Sequence, residues 1–100
     1  MQVPLELTFH DVSRSEWSEN LIRDSVSRLE RFTDQMISCH VTVSQPHKNK
    51  ATGNPYRVRV EVRLPRNRDL IVNEEPAVIE QESDLKQTII AAFKIMERRL

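Results

Sequence analysis

Hydrophobic and polar residues alternate along three stretches of this chain and recur at helical spacing along two others. Val3, Leu5, Leu7 and Phe9 alternate with Pro4, Glu6 and Thr8, the period of a strand buried on one side. Pro4 cannot donate a ladder hydrogen bond, which places this strand at a sheet edge or Pro4 at its very start. Ile37, Cys39, Val41 and Val43 alternate with Ser38, His40, Thr42 and Ser44, and Tyr56, Val58, Val60, Val62 and Leu64 alternate with Arg57, Arg59, Glu61 and Arg63. Asp69 to Asn73 offers a short fourth strand, but Leu70, Ile71 and Val72 are consecutive and leave its register open.

Between the first two strands, Trp17, Leu21, Ile22, Val26, Leu29 and Phe32 fall near a spacing of 3.6 and predict a helix over Ser13 to Phe32, opened by the capping box Ser13-x-x-Glu16. This stripe assigns Trp17 to the core. A second helix, Asp84 to Leu100, carries Leu85, Ile89, Ala92, Phe93, Met96 and Leu100 on one side, with Asp84-x-x-Gln87 able to cap it. Pro65 to Arg68 reads as a turn, and Gln45 to Asn54 and Glu74 to Glu82 read as connections.

The resulting order is βαβββα, an α+β two-layer sandwich. A strand, helix, strand unit in one sheet forms a right-handed parallel crossover, and the short links that follow suit antiparallel pairing. The expectation is a four-stranded mixed sheet of order 1-2-3-4 with both helices on one face and the other face open to water.

Residues 1–100 suffice for a single domain with one core, and an ending inside a helix is compatible with truncation. Fifteen Lys and Arg balance fifteen Asp and Glu, so attraction to a polyanion must come from local clustering. One cysteine and three scattered histidines make a poor zinc set, and the lone cysteine suggests a reducing, cytoplasmic setting. No apolar run approaches the length of a membrane span, and the first residues lack the features of a signal peptide.

Catalysis has little support. Cys39 and His40 are strand neighbours and point to opposite faces, so they cannot pair, and Cys39 is expected to be a small buried hydrophobe. His10 and Asp11 read as structural, Glu74 and Glu75 have no identified partner, and a single glycine excludes glycine-rich phosphate loops.

Cations are the remaining candidates. Arg57, Arg59 and Arg63 fall on the open sheet face at intervals of roughly 7 Å, a spacing suited to phosphates, although any solvated strand also looks like this. His47, with Lys48 and Lys50, adds a positive spot in the connection Gln45 to Asn54. Arg23, Arg28 and Arg31 lie on the first helix and Lys86, Lys94, Arg98 and Arg99 on the second, where intrahelical pairing with acids is the plainer reading. No aromatic is assigned to the open sheet face, so any RNA contact there would rest on charge and shape rather than stacking.

The segments MQVPLELTFHDV, RLERF, ISCHVTVSQPH, YRVRVEVRLP, VNEEP and DLKQTIIAAFKIMERRL together resemble the ribosome hibernation-promoting factor family, the bacterial ribosome-associated translation inhibitors. The resemblance covers essentially the whole chain. It implies a fold similar to double-stranded-RNA-binding domains and a non-enzymatic factor, without cofactor, that binds small-subunit ribosomal RNA near the decoding channel and inhibits translation in stationary phase or stress. It further implies RNA contact by Arg23, Arg28, Arg31, Lys86, Lys94, Arg98 and Arg99. Arg57, Arg59 and His47 come from the surface pattern alone. The second helix is less lysine-rich than is typical of that family, which implies fewer phosphate contacts. The alternative is an interaction module that self-associates weakly, or binds a protein partner, through a sheet edge.

Overall fold

The computed structural model describes residues 3–12, 14–44, 56–74 and 85–100. Its elements are β1 (Leu5–His10), α1 (Glu16–Leu29), β2 (Ser38–Ser44), β3 (Arg57–Leu64), β4 (Arg68–Glu74) and α2 (Leu85–Arg99). The sheet order is β1-β2-β3-β4, with β1 parallel to β2 and the other two pairings antiparallel. This is the βαβββα architecture expected from the pattern, with β1 at an edge.

Alternation decides which side is dry. Cys39, Val41 and Val43 of β2 stand opposite Val62, Val60 and Val58 of β3, and all six are buried. Ile22, Val26 and Leu29 of α1 and Ile89, Ala92, Phe93 and Met96 of α2 close over them. Burial pushes the Cys39 thiol up to about 12, with the Glu30 carboxylate adding to the effect. The thiol therefore stays protonated at neutral pH and behaves as an inert hydrophobe.

β4 resolves the ambiguity of its three consecutive apolar residues. Leu70 and Val72 face inward opposite Val62 and Val60, and Ile71 faces out opposite Glu61. The register is set by the tight β3–β4 hairpin, in which Leu64 pairs with Arg68 and both Arg66 and Asn67 adopt positive φ, 65° and 57°.

Four expectations at the margins are corrected. α1 spans Glu16–Leu29 rather than residues 13–32, and its N-cap is Ser15, which makes no side-chain capping bond; Ser13 lies outside the described residues. The buried stripe runs Ser18, Ile22, Val26, Leu29, so Trp17, 100° around the helix from Ser18, is half exposed at 50%. Ser18 can take the buried place because its hydroxyl donates to the Ser15 carbonyl at 2.9 Å. Phe32 lies beyond the helix and is 51% exposed, and Ile37 precedes β2 and is also exposed. β1 begins at Leu5, not Val3, with the Pro4 carbonyl accepting from the Cys39 amide at 3.0 Å. Asp84, the expected cap of α2, lies outside the described residues.

Candidate nucleic-acid interface

The crossover topology makes both helices run antiparallel to β1, hence parallel to each other. Their C-terminal turns meet where Arg28 Nε lies 2.9 Å from Glu97 Oε1. That oxygen is shielded from solvent and accepts no aligned hydrogen bond, so the contact is ionic. A shallow groove of about 290 Å³ follows the seam, lined by Leu21, Asp24, Ile90, Phe93 and Lys94.

Helical spacing sorts the cations. Ile22, Val26 and Leu29 point down to the sheet, so Arg28 turns toward α2 and Arg23 lies on the flank away from it, while Arg31, two residues past the end of α1, lines a groove with Val3, Ser27, Glu30 and Asp34. On α2, Lys94 and Arg98 project upward and Arg99 points toward β4. Arg23, Arg31, Lys94 and Arg98 have no ion-pair partner among the described residues, whereas Lys86 is engaged. Residues 85–100 hold four cations, Lys86, Lys94, Arg98 and Arg99, against the single acid Glu97. The upper surface of the two C-terminal halves is therefore locally positive in a chain of zero formal charge.

The open sheet face is different. Arg59 lies 3.8 Å from Glu61, Arg63 lies 3.8 Å from Asp69, and Arg57 is also engaged. His40 Nε2 sits 2.9 Å from Thr8 Oγ1, with Nδ1 3.7 Å from Glu6. Cations and carboxylates interleave across strands, which leaves this face polar and balanced. No aromatic occupies an outward strand position among the described residues. His47 lies outside the described residues, and no metal-binding cluster occurs among those described.

Both sheet edges carry an arginine that the alternation pattern did not single out for that role. Arg14 donates to the outward Leu7 carbonyl of β1 at 3.1 Å, is held by Glu19 at 3.1 Å and lies over the Phe9 ring. Arg99 donates to the Ile71 carbonyl of β4 at 3.0 Å. Glu30 accepts from the Val3 amide at 2.8 Å, adding a third block beside β1. An edge whose free carbonyls are occupied is a poor template for an added strand. Replacing Arg14 and Arg99 together by alanine is expected to produce concentration-dependent self-association in light scattering beyond that of the parent. An unchanged mass across concentration would contradict the guarding role.

The family model described as Sigma 54 modulation protein / S30EA ribosomal protein matches residues 5–100. The chain belongs to that family. Members of this sigma-54 modulation and S30EA family are ribosome-associated factors, and the assignment agrees with the resemblance carried by the sequence segments. Among solved structures, the Thermus thermophilus Protein Y N-terminal domain is similar at 21% identity over 99% of this chain and 94% of that one, with a TM-score of 0.74. A ribosomal subunit interface protein from Coxiella burnetii is similar at 17% identity over 98% and 93% of the two chains, with a TM-score of 0.73. At these identities the likeness establishes a shared fold. No curated protein matches closely enough to count as a relative. The alternation pattern does not single out Arg66 and Arg68, which lie exposed in and beside the β3–β4 turn of this S30EA-family fold.

Proposed function

We propose that this protein is a non-enzymatic cytoplasmic factor that binds small-subunit ribosomal RNA near the decoding channel by charge and shape, and inhibits translation in stationary phase or stress. It needs no cofactor and no small-molecule substrate. Membership of a ribosome-associated family supplies the partner class. The observation that supports the RNA assignment is the exposure of Arg31, just past the end of α1, and of Lys94 and Arg98 in the C-terminal half of the parallel helix α2, without ion-pair partners among the described residues. Such cations release counterions when they meet phosphates, and this is a sequence-independent source of affinity.

The charge balance limits the strength of that attraction. With zero formal net charge, the molecule has no long-range pull on RNA, and binding must depend on docking this one surface. The plainer reading of Arg28, Arg98 and Arg99 is stabilisation of helix C-termini, where cations are favoured by the helix dipole. That reading accounts for their positions but does not reach Lys94, five residues before the end of α2. The edge-pairing alternative loses support, because the edges are partly occupied by Arg14, Arg99 and Glu30.

Sedimentation with ribosomes through sucrose gradients tests the proposal. The protein is expected in small-subunit-containing fractions at low salt and in the top fractions at high salt. Its absence from ribosomal fractions at low salt would overturn it.

A further inference from the structure

We infer that the β3–β4 hairpin belongs to the RNA-contact surface, with Arg66 and Arg68 holding backbone phosphates on a strip that continues through Arg98 to Arg31. The inference rests on the RNA-binding reading above and extends it to an element outside the helices.

Topology brings these residues to one end of the molecule. The C-termini of α1 and α2, the start of β4 and the hairpin all lie at the same pole of the sheet. Two contacts tie that pole together: Arg28 to Glu97 between the helices, and Arg99 to the Ile71 carbonyl between α2 and β4. Arg31, Arg66, Arg68 and Arg98 are all exposed there and have no ion-pair partner among the described residues. The neighbouring acids are already used. Glu30 accepts from the Val3 amide, Asp69 faces Arg63 and Glu97 faces Arg28, which leaves Asp34 as the remaining carboxylate at this end. The pole is positive because Arg28, Arg31, Arg63, Arg66, Arg68, Arg98 and Arg99 outnumber Glu30, Asp34, Asp69 and Glu97 there.

The second observation is backbone conformation. Arg66 sits at φ 65°, in the left-handed region where a Cβ is disfavoured and glycine is the least strained residue. Asn67, at φ 57°, is a residue type that tolerates this region, but arginine has no such excuse. No helix end or ion pair among the described residues explains an arginine at the tip. The turn needs the positive φ but does not need an arginine, which makes this residue a candidate for contact with something outside the fold. A guanidinium on a rigid two-stranded turn suits a phosphate, to which it can donate two parallel hydrogen bonds.

The diagnostic variant is Arg66→Gly, because it removes the cation while relieving the backbone. Its thermal unfolding temperature is expected to equal or exceed that of the parent. Its affinity for purified small ribosomal subunits is expected to fall roughly 8- to 15-fold near 0.05 M salt, with the salt slope reduced by about 0.7 to 0.9. Arg66→Lys, which keeps the charge, is expected to retain most of the slope. If the parent binds and Arg66→Gly binds with the same affinity and slope, the hairpin is no contact and the helix surface stands alone. If the parent itself fails to bind at low salt, this inference and the RNA-binding reading fall together.

Discussion

Reversing Arg31, Lys94 and Arg98 to glutamate in one variant is expected to lower affinity for small ribosomal subunits by on the order of 100- to 1,000-fold at low salt. All three residues are exposed and have no ion-pair partner among the described residues, so the substitutions break no internal ion pair there. The folded state should survive, with far-ultraviolet circular dichroism and unfolding midpoint close to the parent's. Arg28 is deliberately excluded. A glutamate at that position would face Glu97, whose side chain is only 15% exposed, and a lost fold would then imitate a lost interface. Co-sedimentation that persists in the triple variant would move the interface away from the helices.

Truncating Ile89 to alanine is expected to destabilise the domain by about 2 to 5 kcal/mol, a large share of the roughly 5 to 15 kcal/mol typical of a natural domain. Ile89 is fully buried between α2 and the sheet, and the core is a single layer of side chains with no second layer to collapse into the vacated space. Phe93 and Met96 of the same helix would line the resulting cavity. Urea unfolding followed by circular dichroism measures the effect. A loss below about 1 kcal/mol would mean that α2 is not anchored as described.

The contrast between these two variants reflects what the sequence makes legible. Val58, Val60 and Val62 announce their own burial, because period-two alternation has only two phases and arginine occupies the other. Ile89, Phe93 and Met96 do the same at helical spacing. In the first helix the apolar positions are broader than the buried stripe. Trp17 and Ser18 are neighbours, and which one turns inward depends on how α1 lies against the sheet, a tertiary choice that Ser18 wins by bonding Ser15. Phe32 and Ile37 extend apolar patterns past the points where the elements end. The turn at Pro65 to Arg68 is legible, but the three apolar residues of β4 need its exact geometry, with left-handed Arg66 and Asn67, to fix their phase.

Cations were easier to count than to assign. Composition and helical spacing name Arg28, Arg98 and Arg99 alike, but only the folded chain shows Arg28 beside Glu97 and Arg99 on the Ile71 carbonyl. Those partners come from different elements or depend on side-chain reach, and neither is written in local periodicity. The same holds in reverse for Arg66 and Arg68. A turn arginine looks like routine solubility until the fold places it at the same pole as the cations that end the two helices.

The central claim is that an otherwise neutral domain meets ribosomal RNA through one locally positive surface. Binding of the parent protein to purified small subunits, followed by gradient sedimentation across a series of salt concentrations, tests it most directly. The expected result is retention at low salt with affinity falling linearly against the logarithm of salt concentration, at a slope corresponding to several phosphate contacts. Failure to co-sediment at the lowest salt, or binding indifferent to salt, would contradict it.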